Sequence, residues 1–168
     1  EAMRIAAVAY AAKQVNAGKK YVWGSEGPTT FDCSGLVYAA YKSAGLGWPN
    51  WDRLNSSLFW VATKRVPLSE MVPGDLVFYS YKGTVSTIHH IAIYAGDGMM
   101  WDSPRPGRRV GKIAIWGTPT YGRVPVEAIN AAALEEIAEK TAALEEVKAQ
   151  APQLEITIDP QNLLPTSD

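Results

Sequence analysis

Residues 21–37 read Tyr21-Val22-Trp23-Gly24-Ser25-Glu26-Gly27-Pro28-Thr29-Thr30-Phe31-Asp32-Cys33-Ser34-Gly35-Leu36-Val37, and they hold the only cysteine of the 168-residue chain. Glycine, proline and threonine before Cys33 spell a loop, whereas Leu36, Val37, Ala40 and Tyr41 after it recur at helical spacing. The pattern predicts a helix that begins at the cysteine and stops near Ser43 or Ala44, ahead of Gly45 and Gly47. A thiol on the first helical turn faces unpaired backbone N–H groups and the positive end of the helix dipole, and both stabilise a negatively charged sulfur. A lone cysteine is commonly a small buried hydrophobe. One set between Asp32 and Ser34 at a loop-to-helix junction is placed as a nucleophile.

Upstream, Ile5, Val8, Ala9, Ala12 and Val15 form one stripe of an amphipathic helix over residues 3–17, ended by Gly18. Downstream, Trp48-Pro49-Asn50-Trp51 is an aromatic loop, and residues 53–62 read as a short helix carrying Phe59 and Trp60. Tryptophans so clustered either line a groove or close a core. Pro73-Gly74-Asp75 turns into a strand, Leu76–Tyr79, and Tyr81–Thr87 is a polar loop. Ile88–Tyr94 reads as a buried strand that returns through the Gly96-Asp97-Gly98 turn as Met99–Ser103. A basic turn, Pro104–Arg109, precedes a strand over Val110–Trp116.

The apolar fraction of 47% and mean hydropathy of −0.10 suit a globular domain with a real core. No apolar run approaches the roughly 20 residues that span a bilayer. The chain opens on Glu1 without a cationic, apolar leader, so it is expected to be a processed form or a piece of a modular protein. A single cysteine excludes an internal disulfide framework and a multi-cysteine zinc site. Residues 1–128 hold 14 Lys and Arg against 9 Asp and Glu, a net of +5, while residues 129–168 hold 2 against 8, a net of −6. We therefore expect one domain over 1–128 and an acidic extension or linker over 129–168. The extension carries a helix from Ala128 to Lys148 with Leu134, Ile137, Leu144 and Val147 as its stripe, then a short strand at 154–158 between Pro152 and Pro160. Scattered basic residues give no nucleic-acid footprint. Arg105, Arg108 and Arg109 form one small cluster, suited to an anionic polymer.

The two histidines, His89 and His90, are adjacent in a predicted strand. Alternation sends them to opposite faces, so only one is free to serve Cys33, and periodicity does not choose between them. A base needs a third group to hold its ring. Asp102, across the hairpin, is in position to approach either histidine, whereas Asp97 lies too near the tip.

Tyr21-Val22-Trp23-Gly24, Phe31-Asp32-Cys33-Ser34-Gly35-Leu36-Val37, Pro73-Gly74-Asp75-Leu76-Val77-Phe78 and His90-Ile91-Ala92-Ile93-Tyr94-Ala95-Gly96 together resemble the NlpC-type cell-wall cysteine peptidases, in order and spacing, over about residues 3 to 126. The resemblance implies a papain-like α+β fold in which the nucleophile's helix packs on a central antiparallel sheet. It implies hydrolysis of peptidoglycan stem peptides, commonly between γ-D-glutamyl and a diamino acid such as meso-diaminopimelate, without metal or organic cofactor. By the same resemblance Cys33 is the nucleophile, His90 the base, and Tyr21 an oxyanion partner beside the Cys33 N–H. Asp32, Ser34 and Trp23 fall at positions that shape substrate binding. Departures are visible. Met100-Trp101-Asp102-Ser103-Pro104 puts Asp102 where a histidine is frequent, Trp23-Gly24-Ser25 replaces Trp-Gly-Gly, and Arg53-Leu54-Asn55 stands for Arg-Thr-Ser.

The expected function is thus a cysteine endopeptidase of the cell wall, either secreted by a bacterium or phage-borne. It would meet peptidoglycan outside the membrane, with neighbouring domains in a longer parent chain. A wall-binding or morphogenetic module without catalysis, and an acyltransferase on the same fold, are the alternatives.

Overall fold

Large apolar residues in Leu76–Ser80 and Ile88–Gly96 build the two central strands of the sheet, and the helices Cys33–Ser43 and Ser56–Ala62 pack on the second of them. The computed structural model describes residues 1–45 and 55–150. In chain order these form α1 (Ala2–Asn16), β1 (Lys20–Tyr21), β2 (Thr30–Phe31), α2 (Cys33–Ser43), α3 (Ser56–Ala62), β3 (Lys64–Arg65), β4 (Leu76–Ser80), β5 (Ile88–Gly96), β6 (Met99–Asp102), β7 (Gly111–Ala114), β8 (Thr120–Arg123) and α4 (Val126–Gln150). A six-stranded sheet runs β3-β8-β4-β5-β6-β7, antiparallel at every pairing, and a parallel pair β1–β2 stands apart. This is the expected α+β arrangement, with α2 packed on β5. Contacts divide the chain into Glu1–Asn130 and Ala131–Asp168, and α4 runs through the division. Among the described residues no helix is long and apolar enough to cross a membrane.

The sheet separates two apolar layers. On one side Leu76, Phe78, Ile88, Ile91 and Ile93 meet Ala7 and Ala11 of α1 and Val37, Ala40 and Tyr41 of α2, all buried. Full burial of each Leu, Ile or Phe side chain stabilises the fold by about 2 kcal/mol. On the other side Val77, Tyr79, Ala92 and Met100 form a second layer.

The helix over 3–17 forms, and Val8 and Val15 of the predicted stripe pack partly buried against the core, but its fully buried positions lie beside that stripe. Ala7, Ala11 and Gln14 are buried while Ile5 is 60% exposed. Small alanines let α1 lie close to α2, and close approach outweighs the larger apolar residues on the other stripe. In α4, Leu144 and Val147 of the predicted stripe are exposed. Trp60 packs beneath the Arg65 guanidinium, 3.8 Å from the ring centre, and its indole N–H donates to Thr120 Oγ1. The loop at 48–51, residues 53–54 and the strand at 154–158 lie outside the described residues.

Two turns set the register around the site. Asp97 (φ 54°) and Gly98 (φ 72°) both take left-handed backbone, the geometry that lets a two-residue loop join twisted antiparallel strands. Gly96 then pairs with Met99, and Ile93 with Trp101. Before β4, the buried Asp75 receives two bonds of 2.8 Å from the Arg123 guanidinium, tying the Pro-Gly-Asp turn to β8.

Candidate active site

Cys33 is the first residue of α2, half-buried and unpaired with any other sulfur. Asp32 starts the helix as its N-cap, with Oδ1 accepting from the Gly35 N–H at 2.7 Å and from Ser34 Oγ at 3.3 Å. Its Oδ2 accepts from the Gly24 N–H at 2.8 Å, so one buried carboxylate holds both the helix start and the Trp23-Gly24 turn. Gly35 answers a close approach: a Cβ there would lie 2.0 Å from the Ser25 carbonyl oxygen. The loop before the cysteine is therefore pressed onto the first turn after it, and the Cys33 N–H, at the helix head, has no acceptor within the helix.

The second half of the site comes from the hairpin. His90 is 8% exposed and Asp102 2%. The imidazole Nε2 lies 3.2 Å from Asp102 Oδ2, which leaves Nδ1 as the nitrogen that faces Cys33. Burial works to lower the His90 pKa, but the hydrogen bonds to Asp102 and to Cys33, with the charges of both, outweigh it and push the value up to about 9. At neutral pH the ring is an imidazolium between a carboxylate and a sulfur. Such a group is placed to give a proton to a leaving amine.

The strict alternation expected for His89 and His90 fails, for a specific reason. Tyr79 pairs with His90 but Ser80 pairs with Ile88, so His89 is an extra residue in β5. The bulge resets the parity: Ile88 joins Ile91 and Ile93 in the same apolar layer, and both histidines border one cleft. Burial, not parity, separates them. His89 is exposed and stacks on Tyr81 with ring centres 3.6 Å apart.

Tyr21 of β1 pairs in register with Phe31 of β2, two residues before the cysteine, and its N–H donates to the Arg108 carbonyl at 2.9 Å. Ser34 is buried against Asp32, and Trp23 is 81% exposed. Three contributors lay beyond sequence reasoning. Ser103 Oγ donates to the Phe31 carbonyl at 2.6 Å, clamping the end of β6 to the segment that enters the Cys33 helix. Tyr79 lies opposite His90 and stacks on Trp116 at 3.9 Å. The cleft, of about 990 Å³, is lined by His89, His90 and Asp102, by Tyr81 and Trp116, and by residues of the 104–111 turn.

Residues 18–124 match the model of the NlpC/P60 family. The chain belongs to the NlpC/P60 family. Among its curated relatives, the probable endopeptidase p60 of Listeria innocua is 37% identical over 115 residues, 66% of this chain and 23% of the p60 protein. The γ-D-glutamyl-L-lysine dipeptidyl-peptidase of Bacillus subtilis is 38% identical over 93 residues, 55% of this chain and 30% of that one. Among solved structures, RipD of Mycobacterium tuberculosis superposes with a TM-score of 0.59 at 25% identity, covering 74% of this chain and 98% of that one; it is described as a non-catalytic domain adapted to peptidoglycan binding. This NlpC/P60 chain spans about a quarter of the length of the p60 protein it matches.

Proposed function

We propose that this chain is a peptidoglycan endopeptidase that cleaves stem peptides by cysteine catalysis, at the amide between a γ-D-glutamyl residue and a diamino acid. The observation that carries the reading is the line of Cys33, His90 and Asp102 at the head of α2, with the His90 pKa pushed up to about 9. The family and the peptidase names of its relatives support the substrate class. The cysteine sulfur, having passed its proton to His90, attacks the amide carbonyl carbon. The Cys33 N–H and the Tyr21 hydroxyl receive the oxyanion. As the C–N bond breaks, His90 Nδ1 protonates the leaving amine. The neutral ring then takes a proton from water, whose oxygen attacks the thioester and restores Cys33. Asp102 holds the ring and its charge throughout. Asp32 and Ser34 shape the approach beside the nucleophile, and Trp23 covers the peptide from the exposed turn.

The hydrolase occupies residues 1–128, and 129–168 serves as an acidic helical extension or as a linker. It works on the wall outside the membrane, as a secreted or phage-borne enzyme. The test is mass spectrometry of purified peptidoglycan fragments incubated with the wild type and with Cys33→Ala. A new amine terminus on the diamino acid, made by the wild type alone, is the expected product; equal cleavage by Cys33→Ala would exclude the mechanism.

RipD supports a second reading, wall binding without turnover. An intact Cys33–His90–Asp102 line speaks against it, and muropeptide binding by a wild type that never cleaves would favour it.

A further inference from the structure

Asp102 holds one edge of the His90 ring, through the 3.2 Å contact between Nε2 and Oδ2. An edge contact leaves one motion open, since the ring is free to pivot about that line. The second side-chain torsion of histidine does not stop it, because its minima are broad. Nδ1 must nonetheless point at one sulfur. The plane of the ring therefore needs a support of its own.

Tyr79 stands at that place. It is the residue of β4 directly opposite His90 in β5, and the two ring centres lie 5.9 Å apart with the planes tilted by 30°. That is the separation of an offset aromatic pair. The tyrosine is itself confined, at 4% exposure. Trp116 stacks on it with ring centres 3.9 Å apart and planes 13° from parallel, and the Trp116 backbone N–H donates to its hydroxyl at 3.2 Å. The same hydroxyl lies 3.8 Å from Met100 Sδ. Burial, with Tyr121 and Asp102 nearby, raises the Tyr79 pKa above its ordinary value, so the phenol stays neutral. It brings a surface to His90, not a charge. Trp116, 51% exposed, carries the same stack out to the solvent.

We propose that Tyr79 is a positioning residue whose ring fixes the plane of the His90 imidazole while Asp102 fixes its edge, with Trp116 bracing Tyr79 from outside. The sulfur and the imidazole are thus aligned before any substrate arrives. The proposal deepens the hydrolase reading and rests on it for the catalytic half of its test.

Cys33 is the only cysteine of the chain, so its alkylation by iodoacetamide reports the paired thiolate with no substrate present. In the full chain at about pH 6, Tyr79→Leu is expected to slow alkylation about tenfold, and Tyr79→Phe to stay within about threefold of the wild type. On one stem peptide Tyr79→Leu should lower kcat about thirtyfold with KM within about twofold, the signature of a misaligned reacting group. Val77→Ala is the control for packing, a buried change in the same apolar layer at a position paired with Ala92. It is expected to lower stability in denaturant and to leave alkylation at the wild-type rate. Should Tyr79→Leu not fold, the exposed Trp116 carries the test, with about threefold slower alkylation expected in Trp116→Ala. Wild-type alkylation rates in Tyr79→Leu and Trp116→Ala overturn the proposal. Equal slowing by Val77→Ala also overturns it, assigning the effect to general packing, and Tyr79→Phe as slow as Tyr79→Leu does so by assigning it to the hydroxyl. If alkylation responds as expected but the wild type cleaves no stem peptide, the positioning role stands and the hydrolase reading falls.

Discussion

His89 and His90 are covalent neighbours and border the same cleft, yet their surroundings differ completely. His90 is packed between Asp102 and Cys33, with its charge supported on both sides. His89 lies exposed on the face of Tyr81. The same contrast holds for the carboxylates. Asp102 meets a titrating ring at the cleft, whereas Asp32, one residue from the sulfur, is fully occupied by backbone N–H groups and a hydroxyl. Nearness to Cys33 in sequence therefore does not define a chemical role. What a side chain is packed against does.

The hardest test of that contrast is replacement of each histidine in turn. His90→Ala is expected to lower kcat/KM by about a thousandfold, the scale of a lost acid–base group, while His89→Ala stays within about threefold. Comparable losses from both, measured on one stem peptide, would erase the distinction.

Asp102→Asn comes next, at about a hundredfold in kcat. Its sharper readout is pH. The wild-type rate is expected to fall on the alkaline side as His90 loses its proton near pH 9, and the variant's limb to move toward the ordinary histidine range. Stability follows the same proton. Because His90 holds it more tightly folded than unfolded, the stabilisation is fully present below about pH 6.5 and is lost as pH rises through about 9. Denaturant titrations across that window should show the wild type losing up to about 3 kcal/mol, and Asp102→Asn, which keeps only the Cys33 contribution, losing clearly less. Parallel curves would sink the linkage.

Ser103→Ala is the mildest change. The Phe31 carbonyl keeps the Val22 N–H at 3.3 Å, so loss of the hydroxyl is expected to cost about 1 kcal/mol in chemical denaturation. A several-fold drop in kcat alongside would indicate that this clamp positions Cys33. Unchanged kcat would make it a purely structural bond.

Local chemistry determined much of this in advance. A loop ending at Cys33, apolar residues at helical spacing behind it, and an Asp-Gly turn between two apolar runs each act within a few residues. The sequence alone therefore specified the helix head and the hairpin, and with them the approach of Asp102 to the strand that carries His90. Other features arise between segments far apart in the chain. The bulge at His89 exists only in the pairing of β5 with β4, so alternation within one strand was blind to it. The buried face of α1 was set by how closely alanines let it approach α2, and no stripe within α1 encodes that distance. Ser103 reaches Phe31, and the 105–109 turn reaches Lys19 and Tyr21, only once the sheet has brought β6 beside the Cys33 segment. The sequence supplied the reactive groups; the tertiary structure decided which of them meet, because packing and register are properties of pairs of segments and not of either one.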